Sequence, residues 1–95
     1  MNIDLNGKVA LVTASTGGIG FAIATGLAES GAEVILNGRS EGSVSKALKA
    51  LNERVPGAKV RTAIADLGSA EGVETLLSAA TDADILVNNA GIYGP

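Results

Sequence analysis

A parallel α/β sheet wound on both faces, with element order βαβαβαβ, is the fold class that this sequence predicts. Three observations predict it. Short aliphatic runs alternate with longer segments of helical periodicity. The runs are rich in Val, Ile and Leu, in a chain that is 46% hydrophobic but only 2% aromatic, which suits strands buried on both faces. Each intervening segment is long enough for a helical crossover, and right-handed crossovers bring successive strands back parallel.

Taken in order, Lys8 to Thr13 is a short apolar run that ends in a glycine-rich loop, Thr16-Gly17-Gly18-Ile19-Gly20, and reads as a buried strand. Ile19 to Ser30 has helical spacing, with Ile19, Ile23, Leu27 and the small Ala24 and Ala28 expected on the apolar side. Gly31 stands where a C′ residue would stop that helix. Glu33 to Asn37 is the second strand and Gly38 breaks it. From Ser43, residues Val44, Ala47, Leu48, Leu51 and Val55 recur at spacings of three and four, an amphipathic helix ended by Pro56-Gly57. Lys59 to Ala65 is the third strand. Ser69 begins a third helix, with Glu71 in its first turn and Val73, Leu76, Leu77 and Ala80 as its stripe. Asp84 to Asn88 is the fourth strand. The linkers are too short to divide the chain, so residues 1–95 are expected to be part of a single domain, cut short after the fourth strand.

Composition removes several classes of function. The chain has no cysteine and no histidine, so disulfides, thiolate or imidazole metal sites and a histidine-based triad cannot be built from it. The net charge is −3 with seven scattered basic residues, which offers no stripe for a nucleic-acid backbone. No apolar run approaches the roughly 20 residues that span a membrane, and the first residues lack the basic and apolar regions of a leader. A soluble, cytoplasmic protein is expected.

The stretch Thr13-Ala14-Ser15-Thr16-Gly17-Gly18-Ile19-Gly20 lies between a strand and a helix, where a dinucleotide pyrophosphate can rest on a helix N-terminus. Small residues let the backbone approach the phosphates, and Gly20 lets the helix pack closely on the strand. No Gly-Lys-Ser/Thr follows, which excludes a Walker A loop. An acidic residue that binds the adenine ribose of NAD belongs about 20 residues further on. Gly38 stands there, followed by Arg39 and Ser40. Glycine makes room for a 2′-phosphate, Arg39 offers a planar cationic donor and Ser40 a hydroxyl. NADP is expected, with NAD as the alternative.

The loop resembles the glycine motif of the short-chain dehydrogenase/reductase family, T-G-x-x-x-G-x-G, at Thr13, Gly18 and Gly20. It departs at Ala14, where the family has glycine; if that position needs φ > 0, alanine costs about 1 kcal/mol. Asn88-Asn89-Ala90-Gly91 matches the family's N-N-A-G motif in full at the expected strand. The resemblance spans roughly Leu5 to Gly94. It implies a Rossmann-type doubly wound fold and hydride transfer between a nicotinamide and an alcohol or carbonyl. It also implies that Asp66 accepts from the adenine amino group and that the N–H of Leu67 meets the ring. Asp66 can equally form an Asx-turn before the cap at Ser69, and the two uses are compatible. Thr13, Ser15, Thr16, Gly18, Ile19, Gly20, Arg39, Ser40, Asp66, Leu67, Asn88, Ala90 and Gly91 are the candidate cofactor-binding residues. Buried asparagines need satisfied amides, and one of Asn88 and Asn89 can tie neighbouring strands together, while Ala90 and Gly91 leave room for a ribose.

The family's catalytic residues, a Y-x-x-x-K pair and a serine, come after the fourth strand. Tyr93, the only tyrosine, is followed by Gly94-Pro95, so no catalytic residue is assigned. A helix would normally cover the fourth strand, and the sequence ends first. The expectation is therefore the N-terminal part of a longer enzyme, acting on a small-molecule substrate and assembling as a homo-oligomer when complete. The alternative is a catalytically silent dinucleotide-binding module, which would leave Ile85, Leu86 and Val87 partly exposed. A receiver-like domain ranks last, because the first strand ends without acidic residues.

Overall fold

The structure, a computed structural model, describes residues 4–89. Its elements are β1 (Val9–Val12), α1 (Gly18–Glu29), β2 (Glu33–Gly38), α2 (Glu41–Arg54), β3 (Val60–Ile64), α3 (Ala70–Ala79) and β4 (Ile85–Val87). The expected alternation is present. The strands form one parallel sheet in the order β3-β2-β1-β4, a Rossmann-type arrangement. After β3 the chain crosses back over β1 to place β4 on its far side, so the direction of winding reverses between β1 and β4.

Helix boundaries follow local chemistry. Gly31 stands at φ 99°, and the N–H groups of Gly31 and Ala32 donate to Ala28 O and Leu27 O, a Schellman closure of α1. α2 begins two residues before the periodic apolar pattern, because Ser40 Oγ accepts from Ser43 N–H at 3.2 Å and caps the helix.

The two faces of the sheet are covered differently. α1 and α2 share one face, where Val12, Val34 and Leu36 pack against Ala24, Ala28, Ala47 and Leu51. α3 covers the other, where Leu11, Ile35, Ala63 and Ala65 meet Leu76. Registers Leu11↔Ile35 and Leu11↔Leu86 put Leu86 on the α3 face. There it is 61% exposed, because α3 lies over β2 and β3 rather than β4. Ile85 and Val87 are half-buried. β4 is therefore not the buried strand that its composition suggests.

Three residues of the expected apolar stripes lie outside the core: Val73 and Leu77 of α3 are 39% and 57% exposed, since that helix buries only Leu76 against the sheet, and Ile19 of α1 is displaced as well. Ile19 is 69% exposed, while Gly20, Ala24 and Ala28 are buried one turn apart. The small residues bring α1 close to the sheet, Ile23 and Leu27 flank that contact, and Ile19 is left on the outside of the first turn.

Candidate functional site

The carboxyl ends of β1, β2 and β3 lie side by side next to the point where the winding reverses, and open α/β sheets bind ligands outside these ends. The turn after β1 is built there from main-chain and amide groups. Thr13 N–H donates to Val87 O at 3.0 Å and Ser15 N–H to Asn37 O at 2.8 Å. Between them Ala14 has φ 50°, the one positive-φ non-glycine among the described residues. That conformation costs alanine about 1 kcal/mol. Both of its main-chain groups are held. Its N–H donates to Asn37 Oδ1 at 2.9 Å, and its carbonyl accepts from Asn89 Nδ2 at 3.2 Å. The departure from the family's glycine thus falls on a left-handed position.

Asn37 is 1% exposed and fully engaged. Its Nδ2 donates to Ala63 O at 3.1 Å and more weakly to Ala65 O at 3.4 Å. Its main-chain N–H donates to Ser15 Oγ at 2.9 Å. Ser15 is completely buried, with its N–H and hydroxyl both taken by Asn37, so it holds the turn from inside. Gly20 backs the same point: a Cβ there would lie 2.5 Å from Ala14 O and 2.7 Å from Asn89 Nδ2. The close approach expected of Gly20 is present, against the turn itself.

Beyond the turn, the amino end of α1 is bare. Gly17 at its N-cap contributes no side-chain hydrogen bond, and the first turn holds no acidic residue. Phe21 N–H makes the first helical bond, to Gly17 O at 3.2 Å, which leaves the N–H groups of Gly18, Ile19 and Gly20 without helical acceptors. Nothing lies within 4 Å of a Cβ built on Gly17 or Gly18, and Gly18 has φ 57°. Donors, the positive end of a helix dipole and open space coincide there.

This end opens on a cleft of about 1090 Å³ whose lining includes Thr16, Gly17, Arg39, Ser40, Asp66 and Leu67. Arg39 and Ser40 are exposed on its β2–α2 side. Ser40 is also the cap of α2, and its hydroxyl lies 2.9 Å from that of Ser43. Gly38 is buried, and a Cβ there would stand 2.5 Å from Thr16 Cγ2 and 2.7 Å from Val44 Cγ2. The room expected beside Gly38 is thus filled by Thr16 and α2, and a carboxylate-bearing residue could not stand there without displacing them. Asp66 is exposed and forms the Asx-turn, its Oδ1 accepting from Gly68 N–H at 2.9 Å. Its other oxygen takes no partner among the described residues. A smaller cavity of about 420 Å³ lies at the opposite end of the strands, beside Lys8, Val55 and Lys59, away from every motif.

The structure thus gathers Thr16, Arg39, Ser40, Asp66 and Leu67 around one cleft and sets Gly18, Ile19 and Gly20 at its helical end. Thr13 and Ser15 belong to the turn's framework. Asn88 is exposed, with Thr13 Oγ1 reaching Val87 O at 3.3 Å and Asn88 Oδ1 only at 3.5 Å. The strand-tying amide is that of Asn89. Ala90, Gly91 and Tyr93 lie outside the described residues. Sequence reasoning missed Asn37, although its signal was the one recognised at Asn88-Asn89: an amide ending an aliphatic strand. No cluster of acidic residues that could hold a metal ion occurs among the described residues, and no helix there is long and apolar enough to cross a membrane.

Sheet order and reversal point together define an α/β protein of the Rossmann type. Comparison with known proteins gives the family. The profile of the short chain dehydrogenases matches residues 8–95, and the chain belongs to that family. It is 50% identical over its whole length to an uncharacterized oxidoreductase, YvaG, of Bacillus subtilis, covering 36% of that protein. The fold matches L-sorbose reductase from Gluconobacter frateurii, complexed with NADPH and L-sorbose, with a TM-score of 0.84 at 39% identity, over 99% of this chain and 37% of the other. It also matches a 3-oxoacyl (acyl-carrier-protein) reductase from Agrobacterium tumefaciens with NADP bound, with a TM-score of 0.80 at 39% identity, over 90% of this chain and 34% of the other. The chain spans about a third of the length of these relatives.

Proposed function

We propose that the chain is the dinucleotide-binding part of an NADP(H)-dependent short-chain oxidoreductase acting between an alcohol and a carbonyl. The observation that carries this reading is the amino end of α1, free of cap, acid and neighbouring atoms, facing a cleft that holds Arg39 and excludes a carboxylate at Gly38. The N–H groups of Gly18, Ile19 and Gly20, with Thr16 beside them, fit a pyrophosphate. Arg39 and Ser40 fit a 2′-phosphate, which a planar guanidinium can grip with paired hydrogen bonds. Asp66 keeps one carboxylate oxygen for an adenine amino group, with the Leu67 N–H next to it. Thr13 and Ser15 fix the turn, while Asn88, Ala90 and Gly91 belong toward the nicotinamide ribose. When bound, the cofactor supplies or accepts the hydride, and this chain's residues bind and orient it. None of these residues is assigned as the acid or base, and the proposed substrate of the complete protein is a small alcohol or carbonyl compound. That protein is expected to be soluble and homo-oligomeric.

Cofactor titration of the chain by fluorescence tests this reading. NADPH should bind more tightly than NADH. Arg39→Asp should weaken NADPH by about tenfold or more while leaving NADH nearly unchanged, because one charge-assisted contact is lost and a repulsive one gained. An unchanged NADPH/NADH ratio would show that Arg39 does not read the 2′-phosphate.

A further inference from the structure

We infer that Asn37 is a positioning residue: its buried amide holds the turn at Ala14 in its left-handed conformation and locks it to the end of β3, so that the pyrophosphate and adenine sides of the cleft act as one unit. The inference rests on the cofactor reading above and concerns a residue that was given no part in holding the cofactor.

The geometry is specific. Asn37 Oδ1 takes the Ala14 N–H at 2.9 Å, and Nδ2 reaches two carbonyls at the end of β3, those of Ala63 and Ala65, at 3.1 and 3.4 Å. Asp66, on the adenine side, follows Ala65 directly. Ala14 leads through Ser15 and Thr16 into the helix end that fits the phosphates. One side chain therefore spans the two sides of the cleft from beneath, at 1% exposure. Only an amide does this, since one atom must accept while the other donates. An unclamped alanine would relax toward negative φ, where it is more stable. That relaxation would swing Thr16 and Gly17 away from the helix end, and the freed Ala14 N–H would be left partly buried without a partner.

Two substitutions separate this role from plain support of the sheet. Asn37→Leu should weaken NADPH binding by about tenfold or more. Adding Ala14→Gly to it should recover roughly threefold or more, because glycine adopts positive φ without a clamp. If Asn37 only braced β2 against β3, the same loss would appear with either residue at position 14, and that result would overturn the inference. Asn37→Asp keeps the acceptor for Ala14 and loses the donor to β3. It should leave the Ala14 amide protected from hydrogen exchange while speeding exchange at Gly68, whose N–H is bound by Asp66.

That exchange measurement needs no ligand and also serves if Asn37→Leu fails to fold. Unchanged Gly68 exchange in Asn37→Asp would refute the link between the two sides of the cleft. Should the unsubstituted chain bind neither NADPH nor NADH, the cofactor reading falls, and exchange at Ala14 and Gly68 still decides whether the lock exists.

Discussion

The amino end of α1 and those of α2 and α3 are made from the same backbone but finished in opposite ways. α2 is capped by Ser40, which accepts from Ser43 N–H, and carries Glu41 in its first turn. α3 is capped by Ser69, which accepts from Gly72 N–H, and carries Glu71. Each thus satisfies a free donor and sets a carboxylate against its own dipole. α1 has glycine at its cap and no acid. Two helices are finished by their own side chains, and the third leaves its first-turn donors and positive end unanswered, as the proposed cofactor site requires. A local rule broken at one place and kept elsewhere marks a functional site.

The largest effect that would sharpen this contrast is expected at Gly20. Gly20→Val drives side-chain atoms into Ala14 O and Asn89 Nδ2, both held in place by hydrogen bonds. Overpacking against fixed backbone should destabilise the chain by about 1–3 kcal/mol in denaturant melts and abolish NADPH binding. Tolerance of valine there would mean that the turn is not rigid.

Ile19→Glu tests the contrast most directly. Ile19 is 69% exposed in the first turn of α1, so a glutamate there gives this helix what α2 and α3 already have. Helix stability should rise by roughly 0.3–1 kcal/mol, while NADPH affinity falls by about tenfold as the carboxylate competes with the pyrophosphate. Opposite signs for folding and binding are the signature of a helix end kept for a ligand. If both rose, the bare end would be a mere omission. Ser69→Ala should show the complement, a loss of about 1 kcal/mol of stability with NADPH affinity unchanged for a chain that is still folded.

What the sequence disclosed follows the same division. Element order, parallel winding and the glycine turn were legible, because each is written in a local period or spacing. The face that α1 presents was misread at Ile19. Apolarity alone ranks isoleucine as core, whereas closeness of approach is set by the small residues Gly20, Ala24 and Ala28. The conditional reading of Ala14 proved informative, since a motif departure pointed to a position that has φ 50°. Asn37 stayed hidden because its partners, Ala14, Ala63 and Ala65, come together only through the register of three strands. Gly38 was read as space for a ligand, yet its space belongs to Thr16 and Val44. A glycine at the right count says that a side chain is absent, not what stands in its place.

The smallest effect lies at the other edge of the sheet, where charge is satisfied within the protein. Arg61 on β3 makes paired hydrogen bonds to Asp82, at 3.0 and 2.8 Å, and its Nε lies 2.6 Å from Glu33 Oε2. The bond from Arg61 holds the Asp82 carboxyl below its ordinary value of 3.8. A lowered carboxylate pKa in the folded state means that the stabilisation is present above the unfolded value and disappears as pH falls through the folded one. Because Asp82 is exposed and Arg61 only half-buried, the contribution is small and screened by salt. Denaturation midpoints of the unsubstituted chain and of Asp82→Asn should differ slightly near neutral pH, converge as pH drops below the ordinary aspartate range, and draw together when salt is added. A gap that persisted in acid would mean that Asp82 acts through packing rather than charge. The pair at this edge would then no longer mirror, in small, the self-neutralised ends of α2 and α3.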